Sequence, residues 1–315
     1  MNDLTYVGFF YAVKIFIIKR IFMKKLIIKE EQLKTIKKYL NEISSRSYIF
    51  DWDDNILFMP TTIKMDKKEG GEWKPVDVST EMFAHVRTSP DYRLRNNDPV
   101  FAFKDFRESE PFLIDAKKAI DSKSFAPSFG KFKEAIMYGN HFAINTARGH
   151  KPEVLRQGVR LFIDEVLTPQ EKSFMVRNIR KEMSKDRFFD RAKDLNDEQL
   201  IELYLHEFGE YYPVSSEEFG KRFGLETSGG AANPEHAKKV AIEHFTDKVF
   251  RNVKKLVDSG HYTKVSVGFS DDDLRNVRAS ESFIEDELKH MYPEINFVVY
   301  DTSEGGKRKL VIEKD

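Results

Sequence analysis

The sequence has no cysteine and no excess of either charge. Its 315 residues carry 52 basic and 52 acidic side chains. Without cysteine, the chain forms no disulfide, offers no thiolate nucleophile and has no Cys-ligated zinc site. Zero net charge argues against attraction of the whole protein to nucleic acid, although it leaves room for a local basic patch. Both features are compatible with a reducing compartment, and we expect a cytoplasmic protein.

A clean membrane-spanning or secretory segment is also lacking. The most apolar stretch, residues 6–22, is interrupted by three basic residues. A spanning helix needs about 20 mostly apolar residues, and a secretory signal needs small residues at a cleavage site. We favour a poorly packed extension for residues 1–22 over a helix on a membrane surface. Apolar residues at helical spacing follow, so residues 1–46 are predicted to be an N-terminal extension and helix.

The most informative stretch is YIFDWDDN at residues 48–55. Its apolar part predicts a buried strand, and ligands of open α/β sheets bind beyond the carboxyl ends of strands. Asp51 and Asp53 would leave the strand end close together, where they could hold a hard divalent cation and a phosphate between them. Taken alone, the pattern is more often an ordinary acidic turn.

Helices alternate with short apolar strands along much of the chain, which predicts an α/β fold with a doubly wound, mostly parallel sheet. Further strands are predicted at residues 141–146, 264–269, 296–300 and 309–312. Helices are predicted at residues 129–138, from Pro152, at 234–245 and 247–258, and from the turn after residue 273 through Met291.

Two insertions interrupt this predicted core. The first, about residues 59–125, begins within a β-hairpin that turns at two glycines and continues without a sustained period from residue 79. The second, about residues 168–233, opens with a capping box at Thr168 and is predicted to be helical, ending in a small polar linker. The core is therefore assigned to about residues 47–58, 126–167 and 234–315.

Three predicted strands end in acidic or hydroxyl residues: Asp51 and Asp53, Thr146, and the run that starts at Asp271. In a parallel sheet these turns emerge at one edge and can converge on one cavity. The segments FDWDDN, FAINTARG and VGFSDDD resemble, in type and order, the first, second and fourth motifs of the haloacid dehalogenase-like superfamily of phosphohydrolases. The resemblance covers only these short segments.

The resemblance implies a Rossmann-like fold, a cofactor and roles for the site residues. Asp51 would attack phosphorus and form an aspartyl-phosphate, and Asp53 would transfer protons. Thr146 would donate a hydrogen bond to a phosphoryl oxygen. Mg²⁺ would be held by Asp51, the backbone carbonyl of Asp53, and Asp271 or Asp272. The implied activity is hydrolysis of a phosphomonoester of a small metabolite or nucleotide.

The third motif of that superfamily is a lysine on a helix, for which three lysines compete. Lys248 follows an N-cap pattern shortly before the last acidic strand, and it is our prediction for the charge that neutralises the phosphoryl group. Lys238 and Lys239, on the preceding predicted helix, are the alternatives. Most lysines on charged helices are simply solvated.

Two further residues are candidate substrate contacts. Asn55 stands where the superfamily usually has Thr or Val, which leaves the effect on activity open. Arg148, after Thr146, could bind substrate or cap the following helix. The fourth motif lacks the commoner Gly-Asp, and its paired aspartates resemble the phosphatase half of polynucleotide kinase-phosphatases.

Two other functions are kept beside the small-molecule phosphatase. A phosphatase of nucleic-acid 3′ ends follows from the fourth motif, although neither the net charge nor a basic stripe with interleaved aromatics supports it. A non-catalytic binding or assembly protein could keep the sheet and the acids but use its helical insertion and its basic, apolar N-terminus for partners. The insertions resemble caps that close over an active site and select substrates. The sequence does not fix an oligomeric state.

Overall fold

The computed structural model describes residues 44–185, 189–225, 233–258, 264–303 and 308–312; most of the predicted N-terminal extension lies outside them. The described strands are β1 Ser44–Phe50, β2 Ile63–Glu69, β3 Glu72–Val78, β4 Tyr92–Leu94, β5 His141–Thr146, β6 Gly209–Pro213, β7 Lys264–Asp271, β8 Ile295–Asp301 and β9 Arg308–Ile312. Six of them form one sheet in the order β6-β5-β1-β7-β8-β9. All neighbours are parallel except β8 and β9, which confirms the predicted α/β fold with a mostly parallel sheet.

Helices connect most of these strands. They are α1 Thr80–Val86, α2 Pro99–Ala102, α3 Ser109–Asp121, α4 Phe129–Met137, α5 Pro152–Val166, α6 Pro169–Met183, α7 Phe189–Ala192, α8 Asp197–Glu207, α9 Glu217–Phe223, α10 Pro234–Asp258 and α11 Leu274–Phe283. A π-helical turn, Ile284–Leu288, joins α11 to the short helix α12 Lys289–Met291. Among the described helices, none has the length and apolar character needed to cross a membrane.

The alternation along β1 explains why the sheet is covered on both faces. Tyr48 and Phe50 pack into one hydrophobic core with helices α3 to α8, whereas Ile49 packs into a second core with α9 to α11. Successive side chains of a strand point to opposite faces, so a strand buried on both sides needs an apolar residue at every position. This requirement accounts for the continuous apolar run ahead of the acids.

The first insertion has a hydrophobic core of its own. The predicted hairpin is present as β2 and β3, which turn at Gly70 and Gly71, both with positive φ. With β4 they form a three-stranded sheet in the order β3-β2-β4. Five buried side chains fill the core beneath it: Ile63, Met65, Val78, Val86 and Phe106. The first insertion therefore adds a second, smaller sheet with its own hydrophobic cluster.

Two helix predictions need correction. The stretch 79–125, expected to be irregular, contains α3, which buries Phe112, Ala116 and Ala119; alanines carry little hydrophobic signal, so the stripe is weak in the sequence. Residues 234–245 and 247–258 form one continuous helix, α10, instead of two. Thr246, which had suggested an N-cap, is fully buried within that helix.

The sequence predicted a helical second insertion, but the insertion also contains a strand. Its residues Gly209–Pro213 form β6, which pairs in parallel with β5 at the edge of the main sheet. A five-residue edge strand that ends at proline has a weak sequence signal. Helices α6 and α8 pack into the same hydrophobic core as the sheet. This segment therefore belongs to the main α/β unit, and so does all of the described chain.

Candidate metal and active site

The carboxyl ends of β1 and β7 bring three acids together. Phe50 is paired with Ser270, so Asp51 and Asp271 follow at neighbouring positions of the sheet edge. One carboxylate oxygen from each of Asp51, Asp271 and Asp272 lies within 4.8 Å of the other two. We call these three residues the acidic cluster. Asp51 and Asp271 are buried and Asp272 is half-buried, so the cluster is a set of oxygen donors of the kind that hard divalent cations prefer.

Lys238 neutralises part of the charge of the acidic cluster. Its Nζ lies 2.9 Å from Asp51 Oδ2 and 2.6 Å from Asp271 Oδ2, and its side chain is 2% exposed. Burial alone would lower the pKa of Lys238, but the carboxylates of Asp271 and Asp51 raise it above its ordinary value. The backbone carbonyl of Lys238 accepts a hydrogen bond from Asn145 Nδ2, which ties α10 to the end of β5.

The sequence prediction that Lys248 serves this site is wrong. Lys248 Nζ lies 2.5 Å from Glu210 Oε1 on β6. The prediction depended on a helix starting at Lys248, but α10 runs through this position without a break. Lys239, one alternative, lies over the ring of Phe283. Lys238, the other alternative, is the lysine at the acidic cluster.

One ammonium does not balance three carboxylates. Burial raises the pKa of Asp51 to about 7; Lys238 opposes this shift, and Asp271 and Asp53 add to it. Burial also raises the pKa of Asp272 well above its ordinary value, again helped by Asp271 and Asp51. These shifts mean that the cluster is short of positive charge. A divalent cation would supply that charge, so the donor set fits one.

Asp53 is not part of the acidic cluster, and its carboxylate pairs with Arg148. Arg148 donates from Nε to Asp53 Oδ2 at 2.8 Å and from Nη2 to Asp53 Oδ1 at 2.7 Å. Its guanidinium also donates to Thr61 Oγ1 and lies against the rings of Phe106 and Phe112, 4.7 and 5.0 Å from their centroids. Arg148 is 1% exposed. In this structure Arg148 is therefore engaged with Asp53, and its predicted contact with substrate stays a prediction.

Asn55 is also buried, and its side chain is fully used. Nδ2 donates to the backbone carbonyls of Asp51 and Ser270, at 3.2 and 3.0 Å. Oδ1 accepts from the hydroxyls of Ser270 and Thr302, at 3.0 and 2.9 Å. With no exposed surface and four partners, Asn55 has no free group for a ligand. The prediction that it contacts substrate is therefore contradicted.

Thr146 is buried at the end of β5, on the other side of β1 from Asp271. Its Oγ1 accepts a hydrogen bond from the Arg148 backbone N–H at 3.4 Å. The strand order thus brings Thr146 to the same sheet edge as Asp51, as the sequence predicted. Its predicted contact with a phosphoryl oxygen stays a prediction.

Helix α1 of the first insertion contacts the loops that carry the acids. At its start, Thr80 donates a short hydrogen bond to Asp54, and just beyond its end Arg87 lies 3.6 Å from Asp273. Burial raises the pKa of Asp54 to about 6, although the bond from Thr80 opposes the shift. Thr80 and Arg87 stand in a segment that matches no motif, so the sequence did not indicate their contacts with Asp54 and Asp273.

The fold and the site together define an α/β protein with a buried acidic cluster and a buried lysine at the carboxyl edge of its sheet. Neither family models, curated proteins nor solved structures gave a match to this chain. Its function is therefore inferred from its own residues and from the motifs that they resemble.

Proposed function

We propose that the protein is a magnesium-dependent phosphomonoester hydrolase that forms an aspartyl-phosphate on Asp51. The observation that carries the proposal is the acidic cluster with Lys238 at the adjoining ends of β1 and β7. The order of the strands also supports it. Because β1 lies between β5 and β7, Thr146 and Asp271 flank Asp51 at one edge, as three motifs acting on one substrate would require.

The chemistry uses Asp51 as a nucleophile. One of its carboxylate oxygens forms a bond to phosphorus while the bond from phosphorus to the leaving oxygen breaks, and that oxygen takes up a proton. Water then attacks phosphorus, loses a proton and releases inorganic phosphate, which restores the Asp51 carboxylate. Lys238 lies close enough to stabilise charge on the transferred group. Mg²⁺, when bound by the acidic cluster, would neutralise the anionic substrate.

Proton transfer is the role that the motif resemblance gives to Asp53. Both carboxylate oxygens of Asp53 accept hydrogen bonds from Arg148. At least one of these bonds has to open before Asp53 can protonate a leaving oxygen. The Asp53–Arg148 pair therefore favours a second candidate function, in which the protein binds a divalent cation and a phosphorylated ligand without turnover.

A small phosphorylated metabolite or nucleotide is the proposed substrate class. Thr80 and Arg87 of the first insertion contact the acidic loops. A covering element beside the acidic loops favours a small or extended molecule over a flat protein surface as the substrate. Nucleic-acid 3′ ends remain a narrower alternative within the same chemistry.

The proposal is tested by hydrolysis of p-nitrophenyl phosphate with and without Mg²⁺. We expect Mg²⁺-dependent release of phosphate by the wild type and a fall of kcat by about 10⁴-fold or more in Asp51→Asn. The control is Asp164→Asn, which removes a carboxylate from an exposed ion-pair network on α5 and should leave kcat unchanged.

Two results would contradict the proposal. Full activity of Asp51→Asn would show that another group is the nucleophile. Absence of Mg²⁺-dependent turnover by the folded protein would exclude the hydrolase, provided that a panel of phosphorylated metabolites, nucleotides and 3′-phosphorylated oligonucleotides also gave none. The cation-binding alternative would then be the remaining candidate.

A further inference from the structure

We infer that Asn55 is a positioning residue, which fixes Asp51 relative to Asp271 by joining the loop after β1 to the carboxyl end of β7. Asn55 itself lies on the loop after β1, and its short side chain contacts both the backbone of that loop and Ser270 in β7. The catalytic consequence of this role rests on the proposed function. The geometric consequence does not.

The carbonyl contacts determine which way the Asn55 amide points. The backbone oxygens of Asp51 and Ser270 lie on one side of the amide, and each can only accept a hydrogen bond. The group that faces them must therefore be the NH₂, with its two protons. Both protons are used, one for the Asp51 carbonyl and one for the Ser270 carbonyl.

The amide oxygen of Asn55, on the opposite side, also has hydrogen-bond partners. Oδ1 accepts from Ser270 Oγ, and it lies 2.9 Å from Thr302 Oγ1, just after β8. The Thr302 hydroxyl lies 2.9 Å from the Asp271 carbonyl as well, so its one proton is shared between these two acceptors. Ser270 Oγ also lies 2.6 Å from Ser128 Oγ. Because Ser270 gives its single hydroxyl proton to Asn55, Ser128 must be the donor in that contact. The network thus joins the ends of β1, β7 and β8 to the start of α4.

Asparagine is the residue type that this network requires. Aspartate has the same shape but no donor, so the two carbonyl oxygens would face a carboxylate. Threonine has one donor and could satisfy only one carbonyl oxygen, and valine has none. A buried carbonyl without a partner is costly, and the loop bearing it would shift to find one. This network gives a structural reason for asparagine at position 55, where the first motif of the superfamily usually has Thr or Val.

Two backbone hydrogen bonds report on the same junction. The Asp51 N–H donates to the Ser270 carbonyl at 3.0 Å, and the Thr302 N–H donates to the Asp271 carbonyl at 3.2 Å. Both amides lie at strand ends that Asn55 contacts, Asp51 just after β1 and Thr302 just after β8. Their rates of hydrogen exchange therefore measure the junction without any reference to metal binding or catalysis.

The first measurement is amide hydrogen exchange of the wild type and Asn55→Ala in metal-free buffer. We expect the amides of Asp51 and Thr302 to exchange about 10-fold faster or more in the variant, because local opening no longer breaks the Asn55 bonds. The Phe142 amide, which bonds to the Phe208 carbonyl at the far end of β5, should change only with global stability. Leu200→Ala, a fully buried apolar site on α8, is the control for global stability.

The second measurement is Mn²⁺ affinity by titration calorimetry, together with kcat and KM for p-nitrophenyl phosphate. Loss of a partner that orients metal ligands typically weakens metal binding by about 10–100-fold, and we expect Asn55→Ala to fall in this range. Its kcat should fall more than its KM rises. Leu200→Ala should keep the wild-type Mn²⁺ affinity even when its thermal stability is reduced as much.

Graded variants keep the test decisive when Asn55→Ala does not fold. Asn55→Thr keeps one donor. Thr302→Val keeps both Nδ2 bonds but removes the hydroxyl contacts with Asn55 Oδ1 and the Asp271 carbonyl. Each variant should give an intermediate increase in exchange at Asp51. Unchanged exchange at Asp51 and Thr302 in every folded variant would overturn the inference. Faster exchange in a protein whose wild type neither binds Mn²⁺ nor hydrolyses phosphate would refute the proposed function and leave the positioning role of Asn55 intact.

Discussion

Replacing Lys238 with methionine should strongly destabilise the metal-free protein at neutral and higher pH. Methionine keeps the unbranched apolar stem but removes the ammonium, whose two carboxylate contacts are 2.6 and 2.9 Å long. Removing one partner of a buried ion pair costs about 3–5 kcal/mol, because a buried charge is left uncompensated. Lys238 compensates two carboxylates at once, so we expect a loss near the upper end, about 5 kcal/mol.

This loss should depend on pH in a defined direction. The pKa of Asp51 is raised to about 7, so at pH 5 this carboxyl is largely protonated and needs less compensation. The free-energy difference between wild type and Lys238→Met should therefore be smaller at pH 5 than at pH 8. Urea unfolding in the presence of a chelator measures the difference at both pH values.

Lys248→Met is the matched control for this prediction. Lys248 stands on the same helix but makes its contact with Glu210, near the surface. Exposed or partly exposed ion pairs contribute about 0–1 kcal/mol. A loss in Lys238→Met no larger than that in Lys248→Met would refute the buried position of Lys238, and so would an equal loss at pH 5 and pH 8.

Three further predictions concern stability. Since the folded-state pKa of Asp51 is raised, its contribution should be largest below pH 4 and be lost as pH rises through about 7, by about 4 kcal/mol in all; unfolding of metal-free wild type and Asp51→Asn should converge at low pH, and a gap that widens there would contradict this. Arg148→Lys loses the bidentate bond to Asp53 and the contact with two phenyl rings, so urea unfolding should show a loss of about 2–3 kcal/mol. Arg156→Lys, in a surface ion pair on α5, should stay within about 0.5 kcal/mol, and equal losses would count against the buried pair. Gly158→Ala would place a Cβ 2.6 Å from the Phe112 ring and should reduce the free energy of unfolding by about 1–3 kcal/mol. Gly130→Ala, with open space around it in α4, should be neutral or stabilising. Thermal melting distinguishes the two, and a neutral Gly158→Ala would contradict the close packing.

Much of the fold could be predicted because its strands are short, apolar and bounded by clear turns. β5 was predicted with its observed ends, and β7, β8 and β9 to within about two residues. β6 could not be predicted in this way, because five residues ending in proline satisfy neither a strand pattern nor a helix pattern. The division of α10 at Thr246 failed because a local N-cap pattern was outweighed by continuous packing of the helix against the sheet.

The acids of the site could be predicted, but their polar neighbours could not. Asp51 and Asp271 meet because parallel strands end at one edge, which is a property of the topology. Lys238 meets them because of the way α10 is rotated on the sheet, and the charge pattern of the helix does not reveal that rotation. The sequence suggested substrate contacts for Arg148 and Asn55 because it does not reveal that both side chains are buried. Their burial depends on Phe106, Phe112 and Thr302, which are distant in the sequence.

The most direct test of the central claim is chemical trapping of the aspartyl-phosphate. Borohydride reduces an acyl phosphate to an alcohol, so quenching during turnover of p-nitrophenyl phosphate with Mg²⁺ should convert Asp51 to homoserine, which peptide mass spectrometry detects. We expect this conversion at position 51 only when both substrate and Mg²⁺ are present. An unmodified Asp51 in a protein that is turning over, or homoserine at Asp53, Asp271 or Asp272 instead, would contradict the assignment of Asp51 as the nucleophile.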